Sequence, residues 1–133
     1  MIYVILAIGI FFLTFLIHEC IHYIVAKSFG HKPRFIWIPS KEKNTIGFFG
    51  LLPGVRTEYN NLSELKWINL SPIPFTFMGF VLFYVILFYD YWSNVEWNSR
   101  SFIILGVTII FSFLTTYEAC GCDIEGYYTK LKR

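Results

Sequence analysis

Residues 2–26 read IYVILAIGIFFLTFLIHECIHYIVA, an apolar run in which ionisable groups enter only at His18, Glu19, Cys20 and His22, with a tyrosine near each end. A bilayer is crossed by about 20 apolar residues. Within lipid a single segment satisfies its backbone N–H and C=O groups only by coiling into a helix. The run therefore predicts a membrane helix, with two imidazoles and a carboxylate near its end. Working outward, two further stretches are long and apolar enough to cross, from about Trp67 to Tyr91 and from about Phe102 to Tyr117, the last free to continue. The expected fold is an all-α membrane protein of three or four transmembrane helices, with a small β-hairpin in the first cytoplasmic loop. Residues 1–133 form a single domain.

Composition supports this class. The chain has 133 residues, of which 56% are hydrophobic, 21% aromatic and 15% charged. A soluble domain of that size has too little interior to hide so much apolar surface. A net charge of +2 without a basic, aromatic-interleaved patch argues against nucleic acid as a partner. No positive charge precedes the first run and no small-x-small site follows it, so it is expected to be retained and not cleaved as a signal peptide.

Lysine and arginine set the expected orientation. Lys27, Lys32, Arg34, Lys41, Lys43, Arg56 and Lys66 lie between the first two runs. Lys130, Lys132 and Arg133 lie in the tail, and only Arg100 lies between the second and third runs. The positive-inside rule then puts the first loop and the C-terminus in the cytoplasm and the N-terminus outside. Cys20, Cys120 and Cys122, an odd set on that cytoplasmic half, do not read as a disulfide framework.

In the first loop, Gly30 and Pro33 end the helix. Arg34–Pro39 and Thr45–Gly50 are β-prone around a polar Lys41–Asn44 turn, which predicts a hairpin, and Leu51–Val55 reads as a further turn. Asn61 with Glu64 resembles a capping box for a short interfacial helix leading into the second span. Pro72 and Pro74 loosen the start of that span, a break tolerated in membranes where protein or a cavity covers it.

Residues four apart share a helix face, so His18 and His22 can offer two nitrogens to one metal ion. Glu19 then stands beside them to take a proton from water. This is the H-E-x-x-H arrangement of zinc hydrolases. Chance occurrence of His-acid-x-x-His in a chain of this composition is roughly half a percent. Ionisable groups at membrane depth are costly, which makes function the default reading over an interfacial accident. A catalytic zinc takes three protein ligands. His31, beyond Gly30, reads as an ordinary surface loop residue. The third ligand is sought instead in Glu118, Cys120, Cys122, Asp123 or Glu125, which return to the same membrane face as HECIH. On a continued helix Glu118, Cys122 and Glu125 share one face, while Cys120, Asp123 and Tyr127 share another. Periodicity does not choose between them.

A membrane-embedded HECIH followed by a β-prone loop and Asn69-Leu-Ser-Pro-Ile-Pro74 resembles the site-2 protease class of intramembrane metalloproteases. More closely, the chain resembles a family of small bacterial zincin peptidases of the membrane, over most of its length. The resemblance implies His18 and His22 as zinc ligands and Glu19 as catalytic base. It also implies Asp123, in Cys-Asp-Ile-Glu-Gly, as the match to the family's Leu-Asp-Gly aspartate and third ligand. One departure is plain: the Asn-x-x-Pro-x-Pro segment is followed here by Phe-Thr-Phe-Met-Gly, with no acid. Asn69 is left with two roles, a hydrogen bond to substrate backbone or a cap on a broken helix.

The expected activity is zinc-dependent hydrolysis of peptide bonds in a bacterial cell membrane, with the site towards the cytoplasm. The expected partners are the lipid bilayer and a membrane protein or peptide substrate, held extended by β-augmentation on Arg34–Pro39 or Thr45–Gly50. The alternative for that hairpin is a plug for the bundle. A homo-oligomer that completes the bundle walls stays open. The alternative function is a catalytically silent, metal-binding membrane protein that acts as partner or regulator of a larger complex.

Overall fold

The computed structural model describes residues 1–37 and 53–132. Its first element, α1 (Ile2–Ser28), takes in the whole apolar run and HECIH. It stops where Gly30 adopts a left-handed φ of 82°. That conformation returns the Gly30 N–H to the Lys27 carbonyl (3.0 Å) and the His31 N–H to the Ala26 carbonyl (3.2 Å), which satisfies the last turn. Two short strands follow, β1 (Arg34–Trp37) and β2 (Pro53–Arg56). They pair antiparallel with Phe35 opposite Val55 and Ile36 opposite Gly54. Next come α2 (Leu62–Leu70), α3 (Pro72–Leu87), the short α4 (Tyr89–Ser93) and α5 (Ser99–Leu131).

Three helical stretches are long and apolar enough to span a membrane: Ile2–Ser28, Leu62–Leu87 and Ser99–Leu131. The middle one is α2 and α3 together. Pro72 sits in the first turn of α3, where its missing N–H costs no helical bond. The chain therefore bends at Ser71 without leaving the span. The starting points differ from those expected. The second span begins at Leu62 and absorbs the predicted interfacial helix, because Asn61 caps it by accepting from the Glu64 N–H (2.9 Å). The other arm of the expected capping box is displaced, since the Glu64 carboxylate accepts from the Asn60 N–H (2.9 Å). The third span begins at Ser99, under a capping box of Asn98 and Ser101, and runs on through the C-terminal acids.

The sheet also differs in part. Arg34–Trp37 is the expected first strand, but its partner is Pro53–Arg56, within and just beyond the stretch read as a turn. Pro53 and Gly54 weaken strand propensity, yet a two-stranded ribbon leaves each strand one free edge, where proline is tolerated. Pro39, the Lys41–Asn44 turn and the expected strand Thr45–Gly50 lie outside the described residues.

The span of α2 and α3 stands between α1 and α5, packing α1 on one side and α5 on the other. Antiparallel neighbours leave α1 and α5 parallel. Tyr3 of α1 stacks on Tyr89 at one end (4.5 Å between rings), while His18 and Asp123 meet at the other. Lipid supplies no hydrophobic drive between helices, so close packing and small residues do the joining. Gly79 shows this most directly. A Cβ there would stand 2.5 Å from Thr14 Oγ1 and 2.6 Å from its Cγ2. Phe11, Phe15 and Phe80 interlock beside it at ring separations of 5.0–5.9 Å, geometries worth about 0.5–1.5 kcal/mol per pair beyond area burial.

Candidate metal centre

HECIH lies in the last third of α1, on the face turned to α3 and α5. His18 and His22 are buried, and Glu19 is half-buried beside them. Asp123 comes from α5, in the turn after buried Cys120. Its Oδ2 stands 2.9 Å from His18 Nε2 and 3.2 Å from His22 Nε2, and the two Nε2 atoms are 3.1 Å apart. The sequence left five candidates for the third position, and the structure brings Asp123 to the histidines. Cys120 shares its face and stands 3.8 Å from His18 Nδ1, the ring nitrogen turned away from the cluster. Glu118 and Cys122 line the same cavity at more exposed positions, and Glu125 is exposed.

The far nitrogens of the two rings fix what the near ones offer. His22 Nδ1 is bonded to the Ile68 carbonyl, which only accepts, so Nδ1 carries the hydrogen. His18 Nδ1 lies 2.8 Å from Thr76 Oγ1. The single Thr76 hydroxyl proton is engaged by the Pro72 carbonyl (2.9 Å), so here too the ring N–H donates. Both Nε2 atoms thus turn bare lone pairs towards each other and towards a carboxylate oxygen. Three acceptors within about 3 Å repel unless a cation joins them, either an added proton or a metal ion. Tetrahedral zinc with ligands at about 2.0–2.1 Å holds them about 3.3 Å apart, close to the spacing found. Metal-ligating histidines characteristically donate their other N–H to protein oxygen. The donor set therefore fits a divalent metal of the zinc type.

Asn69, at the end of α2, donates from Nδ2 to the main-chain carbonyl of Asp123 (3.2 Å). In place of the expected cap on a broken helix, the side chain ties α2 to α5 at the aspartate. His31 is not the free surface residue expected. Its Nε2 lies 2.9 Å from Glu64 Oε2, with both side chains largely covered, so it staples the end of α1 to the start of α2.

A cavity of about 750 Å³ opens on the cluster, between α1 and α5 with Phe80 of α3 behind. Glu19 lines it together with His18, His22 and Asp123, and the Val55 N–H of β2 is directed at the Glu19 carboxylate. Sequence reasoning missed Thr76, the Ile68 carbonyl and this strand. One signal was available. Ser101, Thr108, Ser112, Thr116 and Cys120 recur at helical spacing as the buried stripe of α5, and its continuation selects the face of Asp123 over that of Glu118, Cys122 and Glu125.

Neither family models, nor curated proteins, nor solved structures match the chain. The reading of the site rests on its own residues.

Proposed function

We propose that this chain is a zinc-dependent intramembrane endopeptidase of the kind the site-2 proteases exemplify, with His18, His22 and Asp123 as metal ligands and Glu19 as catalytic base. One observation carries the reading. Two histidine nitrogens, left without hydrogen by the bonds their rings make elsewhere, and a carboxylate oxygen converge beside a glutamate in a cavity large enough for a peptide segment. Zinc, when bound, supplies Lewis acidity that makes a water molecule nucleophilic near neutral pH.

The chain's own residues do the rest. Glu19 takes the proton of the attacking water on a carboxylate oxygen and returns a proton to the leaving amine nitrogen. Thr76 and the Ile68 carbonyl hold the imidazoles in the tautomer that ligation requires. Asn69 holds the Asp123 backbone. Among the described residues β2 is the strand that walls the cavity, through Gly54 and Val55 with Ile36 of β1 beside it, so an extended substrate pairs there if it pairs with a strand at all. The distribution of lysine and arginine supports an orientation with the site towards the cytoplasm.

Metal content per chain in detergent, read beside hydrolysis of a membrane-peptide panel, tests the proposal. Wild type is expected to carry about one zinc per chain, the catalytic complement. Glu19→Gln is expected to keep it while hydrolysis falls by about 10²–10⁴-fold. His22→Ala is expected to lose it. Metal retained with no hydrolysis of any panel member by wild type would assign the chain to the silent, metal-binding class. Undiminished hydrolysis in Glu19→Gln would end the mechanism.

A further inference from the structure

The cavity has two unlike ends. Phe11 and Phe15 precede His18 on α1 by two turns and one turn, and with Phe80 they make one end largely aromatic, with Thr115 of α5 beside them. At the other end, two turns past Asp123 on the parallel helix α5, Lys130 reaches the wall and Arg56 follows Val55 into it. The Lys130 ammonium is held 4.6 Å over the ring of Tyr59, which also lines the cavity. A cation seated on an aromatic face keeps its position while its charge stays available. Lys130 forms none of the ion pairs found among the described residues. The carboxylates in the cavity, Glu19, Asp123 and Glu118, belong to the middle stretch between these ends.

We infer that the site selects a peptide carrying a bulky apolar side chain on one side of the scissile bond and an acidic residue on the other, the first seated against Phe11, Phe15 and Phe80, the second at Lys130. This rests on the endopeptidase reading and adds the substrate class. Seven residues of helix separate Asp123 from Lys130, about 10 Å, which an extended peptide covers in about three residues. The acidic residue therefore stands about three positions from the bond that is cut. The aromatic end begins about 5 Å from His18, one helical turn, so the apolar side chain belongs within one or two positions of that bond. An apolar-to-acidic junction is what a membrane segment presents where it meets water on the side of an acidic flank.

The test reads binding apart from hydrolysis. Fluorescein-labelled peptides with a leucine run and, three residues on, Asp-Glu are compared with Asn-Gln counterparts, in both chain orders. They are titrated into full-length Glu19→Gln protein in neutral detergent. The acidic peptide of one order is expected to bind about three- to fivefold more tightly than its amide counterpart, the range of a partly exposed ion pair. Adding Lys130→Glu is expected to invert the preference, and Lys130→Arg to keep it.

Equal binding of acidic and amide peptides overturns the inference, as does a preference indifferent to Lys130→Glu. So does a Lys130→Glu chain that loses binding to phosphatidylglycerol vesicles with its peptide preference intact, which would assign Lys130 to lipid headgroups. Hydrolysis of both peptides alike by the active chain would leave the endopeptidase standing without this selectivity. Charge-selective binding with no hydrolysis by the active chain would do the reverse.

Discussion

The two halves of α5 bury polar groups in opposite ways. In the first half, the Thr108, Ser112 and Thr116 hydroxyls each donate to the carbonyl four residues back, at 2.7–2.9 Å. Their hydrogen bonds close within one helix and ask nothing of a neighbour. In the second half, the polar contacts cross between helices: Asp123 to His18 and His22 on α1, and its carbonyl to Asn69 on α2. His18 in turn reaches Thr76 on α3. Apart from the Tyr84 hydroxyl of α3 at Thr115 Oγ1 (3.0 Å), the first half packs by shape and tolerates small shifts. The second fixes rotation and height for each helix, because a displaced partner leaves a buried donor or acceptor unpaired, at about 1–3 kcal/mol each. Precision is concentrated where ligand geometry needs it.

Substitutions can break that contrast, beginning with the strongest. Asp123→Asn removes the only charged group among the three ligands, and zinc affinity measured by competition with a chelator is expected to fall by more than about 100-fold, beyond the range of a supporting residue. Thr76→Val keeps the volume and deletes the acceptor for the His18 N–H. It is expected to weaken zinc by about 10–100-fold while the chain remains folded.

Gly79→Ala probes a contact outside α5, between α3 and α1, where shape alone decides. Its Cβ meets Thr14, and thermal unfolding in detergent is expected to show a loss of about 1–3 kcal/mol, with zinc affinity nearly unchanged. Pairing it with Thr14→Ala should return part of that loss. Ser112→Ala removes a hydroxyl bonded only to its own helix, and stability is expected to stay within about 0.5 kcal/mol of wild type. A large effect from Ser112→Ala, or a negligible one from Thr76→Val, would erase the distinction between the halves.

The helical fold was legible because membrane segments announce themselves by length and apolarity, and HECIH was legible because its spacing is local to one helix. Asp123 was harder. It lies 105 residues from His18 along the chain, and the choice among neighbouring acids and thiols depends on which face α5 turns inward. Thr76 was out of reach, since nothing in Phe-Thr-Phe-Met-Gly marks a threonine as the partner of a distant imidazole. The strand Pro53–Arg56 was misread as a turn because its proline and glycine are turn residues in isolation, and pairing with Arg34–Trp37 overrides that local preference. His31 was misplaced for a related reason: its partner Glu64 is far off in sequence.

If the chain is the endopeptidase proposed above, the position of HECIH along α1 bears on where its substrate is cut. His18 and His22 stand about 24 and 30 Å along the helix from Ile2, against a hydrocarbon layer about 30 Å thick. The ligands thus mark a fixed depth, set by one unbroken helix and not by any contact with the substrate. On that proposal the chain would work as a ruler, with α1 setting the depth of the cut. In a thicker bilayer the same mark falls deeper below the near surface, and the scissile bond should move towards the apolar centre of the substrate. Thinner lipids should move it the other way.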